Sequence, residues 1–272
     1  MTYTVTVLVL SITVMLGYFG TLDLRLLNNN PASTTTTASV VQFYDLIGGI
    51  LMNDWYHYLF EEKSMDIMIS ECEFSPGQIV VEIGPGSGFL AEKIIRQVKS
   101  MSTEDQAYFS YTGIDMSHTM YEKASKRLNP FIVEGIAQLH VVNDTFTFLN
   151  HTLKQDSVDR FVFTYVLDLL PPGVIAEFAH AVHDKLNHHH DGRVCVVNLT
   201  YGYSLFSRIV TNIWQILYRV LGGEFMGGCR PIHAQEYFSV GSPDGYQVEH
   251  MSKTVSSGLP SEVAVFSLYD GV

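Results

Sequence analysis

The sequence predicts an α/β fold, a mostly parallel sheet with helices on both faces, and three observations carry that prediction. Short apolar runs alternate with segments of helical apolar spacing from about residue 78 to residue 199. The first run, QIVVEI, leads directly into Gly84-Pro85-Gly86-Ser87-Gly88, a loop almost bare of side chains. Near the carboxyl end, two further runs lie close enough to pair across Ser257-Gly258, which makes one sheet edge an antiparallel hairpin.

The chain begins with a hydrophobic segment, residues 1–22, in which TVTVLVLSITVMLGYF carries no charge. That run is short for a spanning helix, which needs about 20 residues, and Thr and Ser dilute it. It reads either as an N-terminal anchor that makes the protein membrane-associated or as a dispensable hydrophobic arm on a cytoplasmic protein. No basic region precedes it, which disfavours a cleaved signal. Arg25 follows it, so an anchor would leave the folded domain in the cytosol. Residues 23–39, with NNNPASTTTTAS, form a polar low-complexity tether. Residues 40–272 then form one domain, opening on an aromatic-rich helical lid or cap over 40–75 that is interrupted at Gly48-Gly49.

After the QIVVEI strand, Leu90, Ala91, Ile94, Ile95 and Val98 mark one helical face. A second strand, YFSYTGID, precedes a helix with Met120, Ala124 and Leu128 four apart. Strands AQLHVVND and VDRFVFTYVLDLL follow, then a helix carrying Val174, Phe178, Val182 and Leu186, then the strand GRVCVVNLT. One apolar helix, SLFSRIVTNIWQILYRVL, leads to the closing hairpin, YQVEHMSKTV and SEVAVFSLY.

Composition narrows the function. With 28 acidic against 16 basic side chains the formal charge is −12, a surface that repels nucleic acid rather than recruiting it. Cys72, Cys195 and Cys229 are far apart and form no CxxC pair, so they read as buried thiols in a reducing compartment. His188-His189-His190-Asp191 reads as a solvated turn opposite the glycine loop, and no acid and histidine cluster has metal spacing, so no metal is expected. Of the sequons at Asn143, Asn150 and Asn198, two end predicted strands where a glycan would block the site, so they read as chance.

A glycine loop between strand and helix is a nucleotide-type site at the carboxyl edge of a parallel sheet. A dinucleotide fingerprint, G-x-G-x-x-G, would put its third glycine where Phe89 stands. Glu82 also precedes the loop, where a carboxylate suits a cationic ligand and not a pyrophosphate. The stretch Glu82-Ile83-Gly84-Pro85-Gly86-Ser87-Gly88 resembles the first motif of the class I S-adenosylmethionine-dependent methyltransferases. The resemblance runs from about residue 40 to the carboxyl end, and the final hairpin is similar to that family's reversed last strand. It implies a Rossmann-like, mostly parallel seven-stranded sheet.

The resemblance also implies S-adenosylmethionine as cofactor, held by Glu82, Gly84, Gly86 and Gly88 at its aminocarboxypropyl end. Asp115 would take the ribose hydroxyls, Met116 the adenine face, and Asp144 with Thr145 the adenine amino side. Tyr165 would expose its main chain to the cofactor, and Asp168 and Tyr165 are the candidates for contact with the methyl acceptor. The residues Tyr165-Val166-Leu167-Asp168 lack the Asn/Asp-Pro-Pro-aromatic signature of enzymes that methylate amino groups of bases. A small-molecule or lipid-like acceptor is therefore expected, with Arg230 either binding an acceptor anion or making a structural ion pair. The alternatives are a nicotinamide-dependent oxidoreductase, or a protein that binds the cofactor without transferring anything. The sequence carries no sign of oligomeric state.

Overall fold

The computed structural model describes residues 37–48, 54–101, 109–189, 191–222, 228–238 and 245–268. The hydrophobic segment 1–22 and most of the tether 23–39 lie outside the described residues. Strands β1 (Ile79–Ile83), β2 (Ser110–Asp115), β3 (Ala137–Val141), β4 (Arg160–Thr164), β5 (Arg193–Leu199), β6 (Tyr246–Ser256) and β7 (Leu259–Leu268) form one seven-stranded sheet. Their order is β3-β2-β1-β4-β5-β7-β6. The first five are parallel, with Ile79 opposite Ser110 and Val80 opposite Arg160, while β7 runs antiparallel to both β5 and β6. This is the predicted Rossmann-like arrangement, and the order in which successive strands are added reverses between β1 and β4, where such sheets open a crevice.

The helices are α1 (Thr37–Phe43), α2 (Glu62–Glu71), α3 (Phe89–Met101), α4 (His118–Val133), α5 (Thr145–Thr152), α6 (Pro172–His183) and α7 (Leu205–Leu221). The apolar face read for α3 is the buried one, with Leu90, Ala91, Ile94, Ile95 and Val98 at most 2 % exposed. Together with Val80, Tyr111 and Val162 they fill one side of the sheet. Val81, Ile83, Phe161, Phe163, Ile175 and Phe178 fill the other.

Three details depart from the expectations. Helix α1 begins at Thr37, inside the expected tether, because Val40 already packs into the protein at 7 % exposure. Helix α5 follows β3 directly, where the sequence reading continued the strand to Asp144; that residue instead caps the helix, accepting from Phe146 N–H at 3.0 Å. Third, Cys72 and Cys195 are not separate thiols. They are disulfide-bonded with Cα atoms 6.2 Å apart, tying the end of α2 to β5, and Cys229 is the free cysteine. The pairing removes the cysteine argument for a reducing compartment. Titration of the unreduced, denatured chain is expected to find one thiol, and three after reduction; three without reduction would exclude the bond.

Candidate functional site

The carboxyl ends of β1, β2 and β4 open into one cavity of about 350 Å³, roofed by the lid segment between α1 and α2. The glycine loop forms its floor. Gly84 holds φ at +67°, and a Cβ there would lie 2.8 Å from Val166 Cγ2, so a side chain is excluded on both counts. At Gly86, φ is +55° and nothing lies within 4 Å of a built Cβ, so that side of the main chain is open to a ligand.

Two carboxylates flank the loop. Glu82 on β1 is 1 % exposed and accepts a bond from the Tyr111 hydroxyl at 2.7 Å; burial pushes its pKa up to about 7. Asp115 at the end of β2 accepts from Ser117 N–H at 2.8 Å and Gly86 N–H at 3.2 Å, and burial raises it to about 6 against these bonds. Met116, Thr145 and Asp144 also line the cavity. The Asp144 carboxylate, however, is occupied by the α5 cap and by the Thr147 hydroxyl, which keeps it below the usual carboxylate range.

Beyond β4 the same cavity continues as an apolar chamber walled by Val40, Tyr44, Tyr56, Leu169, Trp214 and Cys229. Asp168 stands in its wall at 1 % exposure. One of its oxygens accepts from Leu199 N–H at 3.1 Å, and among the described residues Oδ1 has no partner. Burial lifts the carboxyl to about 7. Tyr165 also lines the cavity, but its hydroxyl is bonded to Ser64 Oγ at 2.7 Å and Ser261 Oγ at 2.6 Å. Its backbone sits at φ +51°, so the residue ties lid to hairpin from a strained position. Arg230 does not line this cavity; its guanidinium donates to the Leu170 carbonyl at 2.6 Å.

His57 belongs to the aromatic stretch read as a lid or as helix packing, but its contacts, and Glu61 and Asp45, were not singled out in the sequence. His57 is 3 % exposed, with Nδ1 2.7 Å from Glu61 Oε2 and Nε2 2.8 Å from Ser87 Oγ, and its ring stacks on Phe89. This chain latches the lid to the glycine loop. The i, i+4 spacing of His57 and Glu61 on a helical segment was a usable signal; the contact with Ser87, thirty residues away, was not. Asp45 adds a second latch, accepting from Ser117 Oγ at 2.6 Å and from Thr119 N–H at 3.2 Å.

The lining contains Glu61, Glu82, Asp115, Asp144 and Asp168 but, among the described residues, no Lys or Arg. Bare glycines, a carboxylate at each end of the loop and this charge balance fit S-adenosylmethionine, whose sulfonium and amine are cationic, and fit a pyrophosphate badly. The His188 tract stands at the amino ends of the strands, away from the cavity, and among the described residues no cluster is suited to a metal. Of the three sequon asparagines, Asn198 is fully buried, whereas Asn143 and Asn150 are exposed.

Residues 67–191 match the profile of a family described as putative S-adenosyl-L-methionine-dependent methyltransferases. No curated protein matches the chain. Among solved structures, the magnesium protoporphyrin IX methyltransferase from Synechocystis PCC 6803 with bound SAH is 14% identical, with 86% of this chain and 100% of that chain covered and a TM-score of 0.60. Geranyl diphosphate C-methyltransferase from Streptomyces coelicolor A3(2), in complex with Mg2+, geranyl diphosphate and S-adenosyl-L-homocysteine, is 10% identical over 88% of this chain and 100% of its own, at 0.59. The [4+2]-cyclase SpnF is 13% identical over 87% and 98%, at 0.60. At such identities the likeness is one of fold.

Proposed function

We propose that the chain is a class I S-adenosylmethionine-dependent methyltransferase, and that it methylates a small or lipid-like acceptor held in the apolar chamber beside Asp168. The observation that carries this reading is the continuity of the cavity: one space runs from the glycine loop to the chamber, with the unpartnered oxygen of Asp168 on its wall.

The roles follow from placement. Gly84, Gly86 and Gly88 let the cofactor lie against the main chain, and Glu82 offers a buried carboxylate to its cationic end. Asp115 has lone pairs left for two ribose hydroxyls after its bonds to Gly86 and Ser117. Met116 faces the adenine, with Thr145 and the strand end before Asp144 beside the amino edge. The cofactor supplies an electrophilic methyl group on sulfonium sulfur. The chain's own work is to align acceptor and methyl, to exclude water under the lid, and to take a proton where the acceptor carries one. Asp168, raised to about 7, is poised to accept that proton. Tyr165 positions the lid, since its hydroxyl is already committed to two serines. Geranyl diphosphate or a similar anion is a poor acceptor here, because among the described residues the chamber offers acids and no Lys or Arg.

The nicotinamide alternative meets the same charge balance, and Phe89 fills the position a third glycine would need, packed at 5 % exposure under His57. Calorimetry is expected to show binding of S-adenosylmethionine and S-adenosylhomocysteine and none of NAD. Release of S-adenosylhomocysteine over a panel of uncharged apolar acceptors then tests transfer itself; binding without release from any of them would leave a cofactor-binding protein.

A further inference from the structure

We infer that the acceptor is an apolar amine, methylated on nitrogen beside Asp168. The inference rests on the methyltransferase reading above and narrows its acceptors to amines, which attack as the uncharged free base.

The wall around Asp168 is aromatic. Asp168 stands on the short turn Leu167–Leu169 that follows β4. Tyr44, just after α1, and Tyr56 of the lid line the same cavity and lie near enough to feel its charge. Helix α7 buries chiefly polar side chains, Ser207, Thr211, Asn212 and Gln215, and brings Trp214 into the chamber wall. There the indole Nε1–H donates to the Cys229 carbonyl at 2.9 Å, and the next residue, Arg230, donates its N–H to the Asp168 carbonyl at 3.0 Å. These two bonds tie the Trp214 ring to the turn that carries the carboxylate. The unpartnered Asp168 Oδ1, buried in a wall shared with three aromatic rings, suits a nitrogen that carries positive charge.

Charge during the reaction separates an amine from other nucleophiles. A phenol, a thiol or a carbon acid attacks as an anion, and among the described residues the chamber offers it Glu61 and Asp168 with no Lys or Arg. The wall's own groups show the cost. Burial first, then neighbouring carboxylates, hold the Tyr56 hydroxyl and the Cys229 thiol above their ordinary pKa values. An acceptor of the same kind seated among them would resist ionisation likewise. An amine never passes through an anion. Its lone pair attacks the methyl carbon, the carbon–sulfur bonding pair stays with sulfur, and positive charge moves onto nitrogen. Asp168 Oδ1 then takes the N–H proton, leaving a neutral N-methylamine, and returns that proton to water as the product departs. Carboxylate and ring faces thus stabilise the charge where it develops.

The test uses the full-length chain loaded with S-adenosylhomocysteine, so that binding is read without transfer, and matched phenylalkyl amines, alcohols and thiols of graded chain length. Calorimetry is expected to show the amines binding about tenfold tighter than alcohols of the same length. Asp168→Asn should abolish that preference, Trp214→Leu should reduce it and Trp214→Phe should retain it, with S-adenosylhomocysteine affinity reporting that each variant is folded. With S-adenosylmethionine supplied instead, mass spectrometry should find methyl on nitrogen in excess of methyl on oxygen or sulfur. Alcohols or thiols that bind as tightly as the amines overturn the proposal, as does a series in which no amine binds. So does a preference unchanged by Asp168→Asn or by Trp214→Leu, or an excess of O- or S-methyl product, which would leave a methyltransferase of another acceptor class. Amine binding that depends on Asp168, with no methylated product from any member, overturns instead the transfer reading on which the proposal rests.

Discussion

Replacing Asp115 with Ala is expected to weaken S-adenosylmethionine binding about 10- to 100-fold, the equivalent of roughly 1.5 to 3 kcal/mol for lost charge-assisted hydrogen bonds. The carboxylate does two things at once. It holds the Gly86 and Ser117 N–H groups, which shapes the glycine loop, and it leaves lone pairs toward the cavity. Removing it should not cost the fold, because a buried carboxyl raised to about 6 is itself held at an electrostatic penalty. Calorimetry and thermal melting of the variant check both halves; a folded variant of unchanged affinity would take Asp115 out of the site. Asp144→Ala is the useful contrast. That carboxylate is a helix cap, so its loss should lower stability by about 1 kcal/mol and affect affinity less.

The second large effect is on pH dependence. Glu82, Asp115 and Asp168 stand at about 7, 6 and 7, each raised chiefly by burial. In the unfolded chain such groups titrate near 4. Between roughly pH 4 and 7 the folded apo chain therefore holds more protons than the unfolded one, and its stability falls as pH rises through that window. A cationic ligand reverses the balance by favouring the ionised carboxylates. Cofactor affinity is expected to rise about tenfold or more from pH 5.5 to 7.5 and then level off, with protons released on binding. Melting curves across pH, and calorimetry in buffers of different ionisation enthalpy, measure the two signs. Apo stability that climbs from pH 5 to 8 would contradict the burial of these groups.

Much of the donor half was legible because its signals are local. An apolar run, three alternate glycines and an acid at the next strand end each state a physical need within a few residues, and the structure brings all of them to one sheet edge. Helix α5 was missed because TFTFLNHT is short and buries only Thr145 and Leu149, too few positions to show a period. The Cys72–Cys195 bond spans 123 residues and the His57–Ser87 contact crosses from lid to loop, and neither leaves a trace in spacing. Helix α7 was legible as an apolar helix, but its orientation was not, since hydrophobic pattern alone sends the wrong face inward.

The disulfide also partitions the chain. By joining Cys72 to Cys195 it closes a covalent ring that contains β1 to β4 and the first residues of β5. The glycine loop, Asp115, Thr145 and Asp168 lie within the ring; α7, β6 and β7 hang outside it as a tail. The unfolded chain is then a lasso whose loop has already lost part of its conformational freedom, while the tail keeps all of its own. The bond therefore reduces the conformational entropy that folding must remove from the stretch lining the glycine-loop end of the cavity, and leaves that of the tail unchanged.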